Sequence, residues 1–264
     1  MTSHDVVSRV RRIAGTRRVG HAGTLDPMAT GVLVLGVNRA TRLLGHLILT
    51  DKGYDATIRL GVATVTDDAE GEVAGTADAS AVTDEAVRRA VAALTGPIEQ
   101  VPSAVSAVKV AGVRAYQRVR AGDDVQLAAR PVTVRVFDVH AIRRDGAVVD
   151  LDVHVECTSG TYVRALARDL GAALGVGGHL TMLRRTRVGP YGLDQAHALD
   201  ALAEDFALLP IAEAARSAFA ARQLDAEQAR VVAHGGWLPA TGDTDATGPV
   251  AAFGPDGTFL ALLA

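Results

Sequence analysis

The loop from Val19 to Gly31, VGHAGTLDPMATG, gathers the residues of this chain best suited to chemistry. Gly20 and Gly23 permit backbone conformations and close approaches that side chains forbid. Pro27 pushes the preceding Asp26 out of the helical region, so its carboxylate projects from an extended segment. A rigid loop offering one carboxylate and one imidazole, His21, suits a site that grips something bulky. Asp-Pro is more often a plain turn, so the loop by itself supports both readings. The acidic stretch TDDAEGEV from Thr66 invites a calcium reading. With Gly71 at the sixth loop position, however, Thr66 stands first and Ala77 twelfth, where acids are needed. A solvated turn is expected there. No G-x-x-x-x-G-K-[ST] phosphate loop occurs, and no G-x-G-x-x-G follows a strand. The eight histidines are scattered without metal-ligand spacing, and the single Cys157 excludes an internal disulfide or a cysteine-based zinc cluster.

The elements that would position this loop follow from periodicity. Ser3 caps a helix whose Val6, Val7, Val10 and Ile13 repeat at helical spacing before Gly15. An apolar strand follows Gly31, then a helix around Arg39–Ile48, then an alternating strand Tyr54–Val62. Residues 83–95 read as an amphipathic helix ended by Gly96–Pro97. Val105–Val110 and Val132–Ile142 read as strands, the latter pairing with Val148–Cys157 across Asp145–Gly146. A helix over Thr161–Leu174 stops at glycines 175, 177 and 178, and Leu180–Val188 returns as a strand. Past about residue 210 come a short helix at 225–234, a polar loop Thr241–Gly248 and a hairpin Val250–Leu263 around GPDG. Strands and helices mix without a βαβ rhythm. The fold class expected is α+β, a mainly antiparallel or mixed sheet flanked by helices with a small C-terminal α/β appendage.

Two hundred and sixty-four residues, 48% hydrophobic and 22% charged, suffice for a real core and exclude a disordered chain. Apolar runs such as GVLVLGV are too short to span a bilayer, and no signal peptide opens the chain, so a cytoplasmic protein is expected. The net charge of −3 hides an uneven distribution. Residues 1–60 carry an excess of five cations and 101–200 an excess of three, whereas 61–100 and 201–264 are acidic. Twenty-five of the 27 cations are arginine, which suits phosphate forks and base stacking. A basic binding face on an acidic body fits a nucleic-acid partner, although arginine beside heavy alanine use also follows from codon bias.

The motifs, taken in order, resemble those of the TruB family of tRNA pseudouridine synthases, which modify uridine 55 in the T loop. TSHDVV begins at Thr2, GHAGTLDPMATGVLVL at Gly20, RATRLL at Arg39 and DKGYDATIRLG at Asp51. VPSAVSAVKVAGVRAY, CTSGTYVRALARDLG and LRRTRVG follow from Val101, Cys157 and Leu183. The resemblance covers about residues 1–200 and implies a pseudouridine-synthase-like catalytic domain over 1–210, with a small RNA-binding, PUA-like domain over 211–264. It makes Asp26 the catalytic aspartate and Arg164 its arginine partner. Tyr54 becomes the tyrosine that stacks on the target base and assists proton removal from C5. It further implies that His21 helps hold the T loop open and that Tyr162 and Leu183 line the uridine pocket. Lys109, Arg39 and Arg42 fall at basic positions of the kind that meet RNA backbone. Family members usually begin with an apolar strand ending in Lys-Pro and a glycine, ahead of the Met-Thr-Ser found here at Met1. The chain is therefore expected to start after that strand, lacking one RNA-contacting lysine and leaving a sheet edge unpaired.

The chemistry agrees with the motifs. Isomerising uridine breaks the N1–C1′ bond, turns the uracil and rejoins it through C5. Glycoside hydrolysis needs two carboxylates because an alcohol must be protonated to leave, whereas uracil delocalises the departing charge. One ionised carboxylate then suffices, with no metal or cofactor, and a forked guanidinium favours the ionised form. Attack at C1′, attack at C6 and removal of the C2′ proton are all open to it. The resemblance implies an enzyme that acts on the tRNA T arm as a monomer without an obligatory protein partner. Alternative readings are a non-catalytic tRNA-folding factor using the same cradle, or the catalytic subunit of a guide-RNA-dependent particle.

Overall fold

The computed structural model describes residues 1–104, 127–240 and 248–263, together with the backbone of a hairpin at Lys109–Val110 and Val113–Arg114. Strands are numbered in chain order. They are β1 (Val19–His21), β2 (Thr30–Gly31), β3 (Leu35–Val37), β4 (Lys52–Leu60), β5 (Val62–Thr64), β6 (Val73–Thr76), β7 (Gly96–Gln100), β8 (Lys109–Val110) and β9 (Val113–Arg114). Then come β10 (Arg130–Asp145), β11 (Val148–Cys157), β12 (Gly178–Val188), β13 (Tyr191–Gly192), β14 (Ala220–Gln223), β15 (Val250–Phe253) and β16 (Phe259–Leu263). The chain divides into two compact units. One comprises Met1–Val6, His21–Val34 and Ile48–Ala196; the other comprises Val7–Gly20, Leu35–Leu47 and His197–Ala264.

The first unit is built on a sheet of order β13-β12-β4-β11-β10-β7, antiparallel throughout, with β2 added parallel to β12. Alternation in β4 and β11 fixes which face is buried. Ala56, Ile58, Leu60, Leu151, Val153, Val155 and Leu180 pack with Val87, Val91, Leu166 and Leu170 of the helices Asp84–Ala93 and Val163–Ala173. The opposite residues of the same strands pair across the sheet as charges. Arg59 donates to both oxygens of Asp150 at 2.8 and 2.7 Å, and Thr57 Oγ1 donates to Asp152 at 2.8 Å. Arg143 also bonds Asp152. A one-residue slip would bury these charges and expose the apolar set, so the register is specified from both faces.

Each helix of this unit is fixed at its start. Thr83 accepts from Ala86 N at 3.2 Å, and Asp84 and Glu85 in the first turn suit the helix dipole. Val163–Ala173 has no side-chain cap. Instead, fully buried Gln100 accepts from Tyr162 N at 2.8 Å and donates to Tyr162 O at 3.1 Å. At the other end Gly171 lies against the backbone of Gly177 and Gly178, which brings the helix down onto β12.

In the second unit β14 runs parallel to β15, and β15 antiparallel to β16, beside the helices Ile211–Ala218 and Ala226–Ala233. Ala215, Ala251 and Phe253 form its small core, and a second cluster joins Val7, Val10 and Val19 to Leu35, Val37 and Leu199. Among the described residues no helix is long and apolar enough to cross a membrane.

The α+β class stands, and most long elements lie where periodicity puts them. The helix expected around Arg39–Ile48 is instead a 3-10 turn, Asn38–Arg42, and a single α turn, Leu44–Leu47. Asn38 in the left-handed region and Gly45 both oppose a continuous helix there. The apolar run after Gly31 yields only Leu35–Val37. Of the strand expected at Val105–Val110, only the last two residues are described; residues 241–247 of the expected polar loop lie outside the described residues.

Gly171→Ala separates packing from propensity. Alanine favours a helix interior by about 1 kcal/mol over glycine. Yet its Cβ would lie 2.1 Å from the carbonyl carbon of Gly177, so backbone must move. The variant is expected to lose roughly 2 kcal/mol or more of unfolding free energy in urea, as overpacked sites do. A stabilised variant would show that this helix–strand contact is not close.

Candidate active site

The loop bearing Asp26 is sutured at both ends. At its entry Leu25 N donates to Ser3 Oγ at 2.9 Å, and Ser3 is buried. Ala29 N closes a turn on Asp26 O at 2.9 Å, and Met28 and Ala29 pack against the core. At its exit Gly31 pairs with Arg185 of β12, and Val32 N donates to Arg185 O at 2.7 Å. Gly31 has φ +94°, and a Cβ there would lie 2.1 Å from Arg185 O, so only glycine fits. The Asp-Pro turn is thus held against the sheet.

Arg164, in the first turn of the helix Val163–Ala173, meets the Asp26 carboxylate as a fork. Nε donates to Oδ2 and Nη2 to Oδ1, both at 2.9 Å. Nη1 donates to Thr66 O at 2.8 Å and lies 3.4 Å from Asp68 Oδ2. The Arg164 side chain is 5% exposed and that of Asp26 32%. The guanidinium is therefore fixed from behind while the carboxylate keeps an open side. Two parallel charge-assisted bonds set both position and plane of the carboxylate.

Tyr54, on β4, is 8% exposed and shares the core cluster with Leu183 of β12 and Val163. Burial above all pushes the Tyr54 phenol up to about 12. At neutral pH the phenol keeps its proton. Tyr162 immediately precedes the helix, half-buried, with its backbone clamped by Gln100. His21 is pushed below its ordinary value, first by burial and then by neighbouring His4, whose ring meets it edge-on at 5.9 Å. Its imidazole is neutral at physiological pH.

The N-terminal domain of TruB family pseudouridylate synthases matches residues 11–163, and two C-terminal domains of tRNA pseudouridine synthases match 164–221 and 219–264. A tRNA pseudouridine synthase B of Arthrobacter sp. is 63% identical over 271 residues, covering 100% of this chain and 89% of that relative. One from Nocardia farcinica is 64% identical over 264 residues, covering 100% and 85%. The chain belongs to the TruB family of pseudouridylate synthases. Among solved structures, a Cbf5-Nop10-Gar1 complex contains a chain with TM-score 0.73 and 26% identity, matching 99% of this chain and 74% of that one.

Within this TruB chain Asp26, Arg164, Tyr54, Tyr162, Leu183 and His21 all belong to the first unit; the structure joins Arg164 to Asp26 directly and puts Tyr54 and Leu183 in one cluster. Arg39 and Arg42 are exposed on the 3-10 turn of the second unit. The backbone of Lys109 pairs with Arg114, and its side chain lies outside the described residues. The reading of Thr66–Val73 as a solvated turn is corrected. Asp67 and Asp68 are 8% and 4% exposed, and this turn supplies the rear contacts of Arg164. Asp67 takes φ +60°, accepts from Ser103 Oγ at 2.7 Å and faces Arg168 Nη1 at 3.3 Å; burial raises its pKa. Local composition could not show this, because the partners stand about 100 residues along the chain. The arginines Arg164 and Arg168, one helical turn apart, were the available sign that two acids were needed opposite them.

Three buried groups near this site set an alkaline response. Burial raises Tyr54 from 10.0 to about 12 and Cys157 from 9.0 to about 11, so both contribute stability that is intact below pH 9 and lost as pH climbs through 11–12. Lys52, lowered from 10.5 to about 8 by burial and then by Arg185, works oppositely, its penalty fading between pH 8 and 10.5. The thermal midpoint is expected to hold or rise from pH 8 to 9 and to fall steeply above 10. Tyr54→Phe should soften that fall, as circular dichroism melts across pH will test; a steady decline from pH 8 would contradict it.

Proposed function

We propose that this chain isomerises uridine to pseudouridine at position 55 in the T loop of tRNA, and that Asp26 is the catalytic carboxylate. The observation that carries the reading is the forked Arg164–Asp26 bond, buried on the arginine side and open on the carboxylate side. Each carboxylate oxygen spends one acceptor site on the fork and keeps another for the substrate. The reaction balances within one nucleotide: N1–C1′ breaks, C5–C1′ forms, C5 loses a proton and N1 ends with one. It consumes no co-substrate.

The target base must leave its stack to reach Asp26. Stacking on Tyr54 offsets part of that cost, a base–aromatic contact contributing about 1–3 kcal/mol. Because the phenol holds its proton to about 12, Tyr54 serves first as this stacking face; a part in moving the C5 proton would need a nearby acceptor. Tyr162 and Leu183 flank the pocket, His21 holds the T loop open, and Arg39, Arg42 and Lys109 meet the phosphate backbone. Residues 1–210 form the catalytic domain and 211–264 an RNA-binding appendage. The chain is read as an enzyme that works alone as a monomer and not as a subunit of a guide-RNA-dependent particle. Two relatives named tRNA pseudouridine synthase B are 63% and 64% identical, against 26% for the chain from the Cbf5 complex.

Asp26→Asn is expected to abolish pseudouridine formation on an unmodified tRNA transcript. Its tRNA affinity should stay within about tenfold of wild type, since phosphate contacts elsewhere supply most binding. A transcript with cytidine at position 55 should yield no product. Turnover by the Asn variant at about a tenth of the normal rate would remove Asp26 from its role, and product on the cytidine transcript would overturn the position.

A further inference from the structure

Among the described residues Arg185 is the largest fully buried side chain, at 1% exposure. Burying a guanidinium is costly unless it is matched by hydrogen bonds or an opposite charge, and a well-packed apolar residue is often at least as stabilising. Among the described residues no carboxylate is ion-paired with it. Its hydrogen-bond partners are backbone carbonyls. Nε donates to Val32 O at 2.7 Å, Nη2 to Gly23 O at 3.2 Å and Nη1 to Thr24 O at 3.4 Å. Tyr54 is its cross-strand neighbour on β4, near enough for the guanidinium's charge to act on the phenol.

These partners have one thing in common. Gly23 and Thr24 stand where the chain enters the Asp26 turn, and Val32 stands where it leaves. The Arg185 backbone takes the same exit through Val32 N. Lys52, a second buried cation, donates to Ile48 O at 2.9 Å and Thr50 O at 2.8 Å and closes the far side. Gly23 lies between the two cations: a Cβ there would sit 3.7 Å from Lys52 Cε and 3.8 Å from Arg185 Nη1. One planar group thus ties together both ends of the turn that presents the carboxylate, beside the ring on which the base stacks.

We propose that Arg185 is a positioning residue for the isomerisation, fixing the Asp26 turn and the Tyr54 ring in a single mutual register. This rests on the roles given to Asp26 and Tyr54 above. Arg185 is sealed from solvent, so it acts through those two groups and adds nothing to tRNA affinity.

The test is Arg185→Ala and Arg185→Lys in the full chain, with wild type and Asp26→Asn alongside. Single-turnover pseudouridine formation, tRNA affinity and amide exchange are measured on each. Arg185→Ala should lose about 100-fold in rate, the usual consequence of displacing a reacting group by about 1 Å, with tRNA affinity nearly unchanged. Amides of Leu25, Ala29 and Val32 should exchange faster while those of the β10–β11 hairpin do not. Millimolar guanidinium chloride should restore much of both losses, and equal sodium chloride or urea should not. If the Ala variant does not fold, Arg185→Lys decides: one ammonium cannot reach all three carbonyls, so its rate should stay depressed with intact binding. A wild-type rate in Arg185→Lys, or a loss in Arg185→Ala that appears in tRNA affinity instead of rate, would overturn the proposal. An inactive wild type or an active Asp26→Asn would fault the functional reading instead, and the exchange result would then decide Arg185 by itself.

Discussion

The geometry of this site depends on a guanidinium that is buried while its carboxylate is not. An exposed arginine would wander among rotamers and offer Asp26 an average position. Arg164 is prevented from doing so by a third contact, Nη1 on Thr66 O, and by Asp68 behind it. Two acids therefore share one arginine, and only Asp26 faces outward. Such a pair is a poor source of stability, because desolvating the ions offsets their attraction. Its value is geometric: a planar fork permits one carboxylate orientation.

The sheet exists, for this purpose, as the surface on which that orientation is assembled. β4 carries Tyr54, β12 carries Leu183 and Arg185, and the helix carrying Arg164 is pressed onto the same apolar face. The contacts that secure the helix are sited away from the chemistry. Gln100 clamps its start through the Tyr162 backbone, and Gly171 admits the close approach at its end. Because interiors are close-packed, displacement at either place reaches the fork as a tilt of the helix.

The pairing of Arg164 with Asp26, implied by the family's short motifs, is present in the structure, and the same motifs single out Tyr54 and Leu183. The long strands and amphipathic helices were legible because alternation and 3.6-residue spacing are local. What escaped was non-local. The turn at Thr66–Val73 looks like solvated acid, and becomes the rear wall of the site only when the helix returns against it. β7 was hidden by Gly96–Pro97, which reads as a stop, and β14 by an Ala-Ala-Arg-Gln run without alternation. Arg39–Ile48 failed for the opposite reason, a plausible local pattern interrupted by Gly45 and by the strained Asn38.

For the role proposed for Asp26, fork geometry counts beyond mere positive charge. Arg164→Lys isolates it, keeping the cation while replacing two parallel bonds by a single ammonium. Single-turnover pseudouridine formation should fall by about 100-fold, with tRNA affinity and the far-ultraviolet spectrum unchanged. A lysine variant that turns over at close to the wild-type rate would show that charge alone suffices and that the forked bond is not what organises the site.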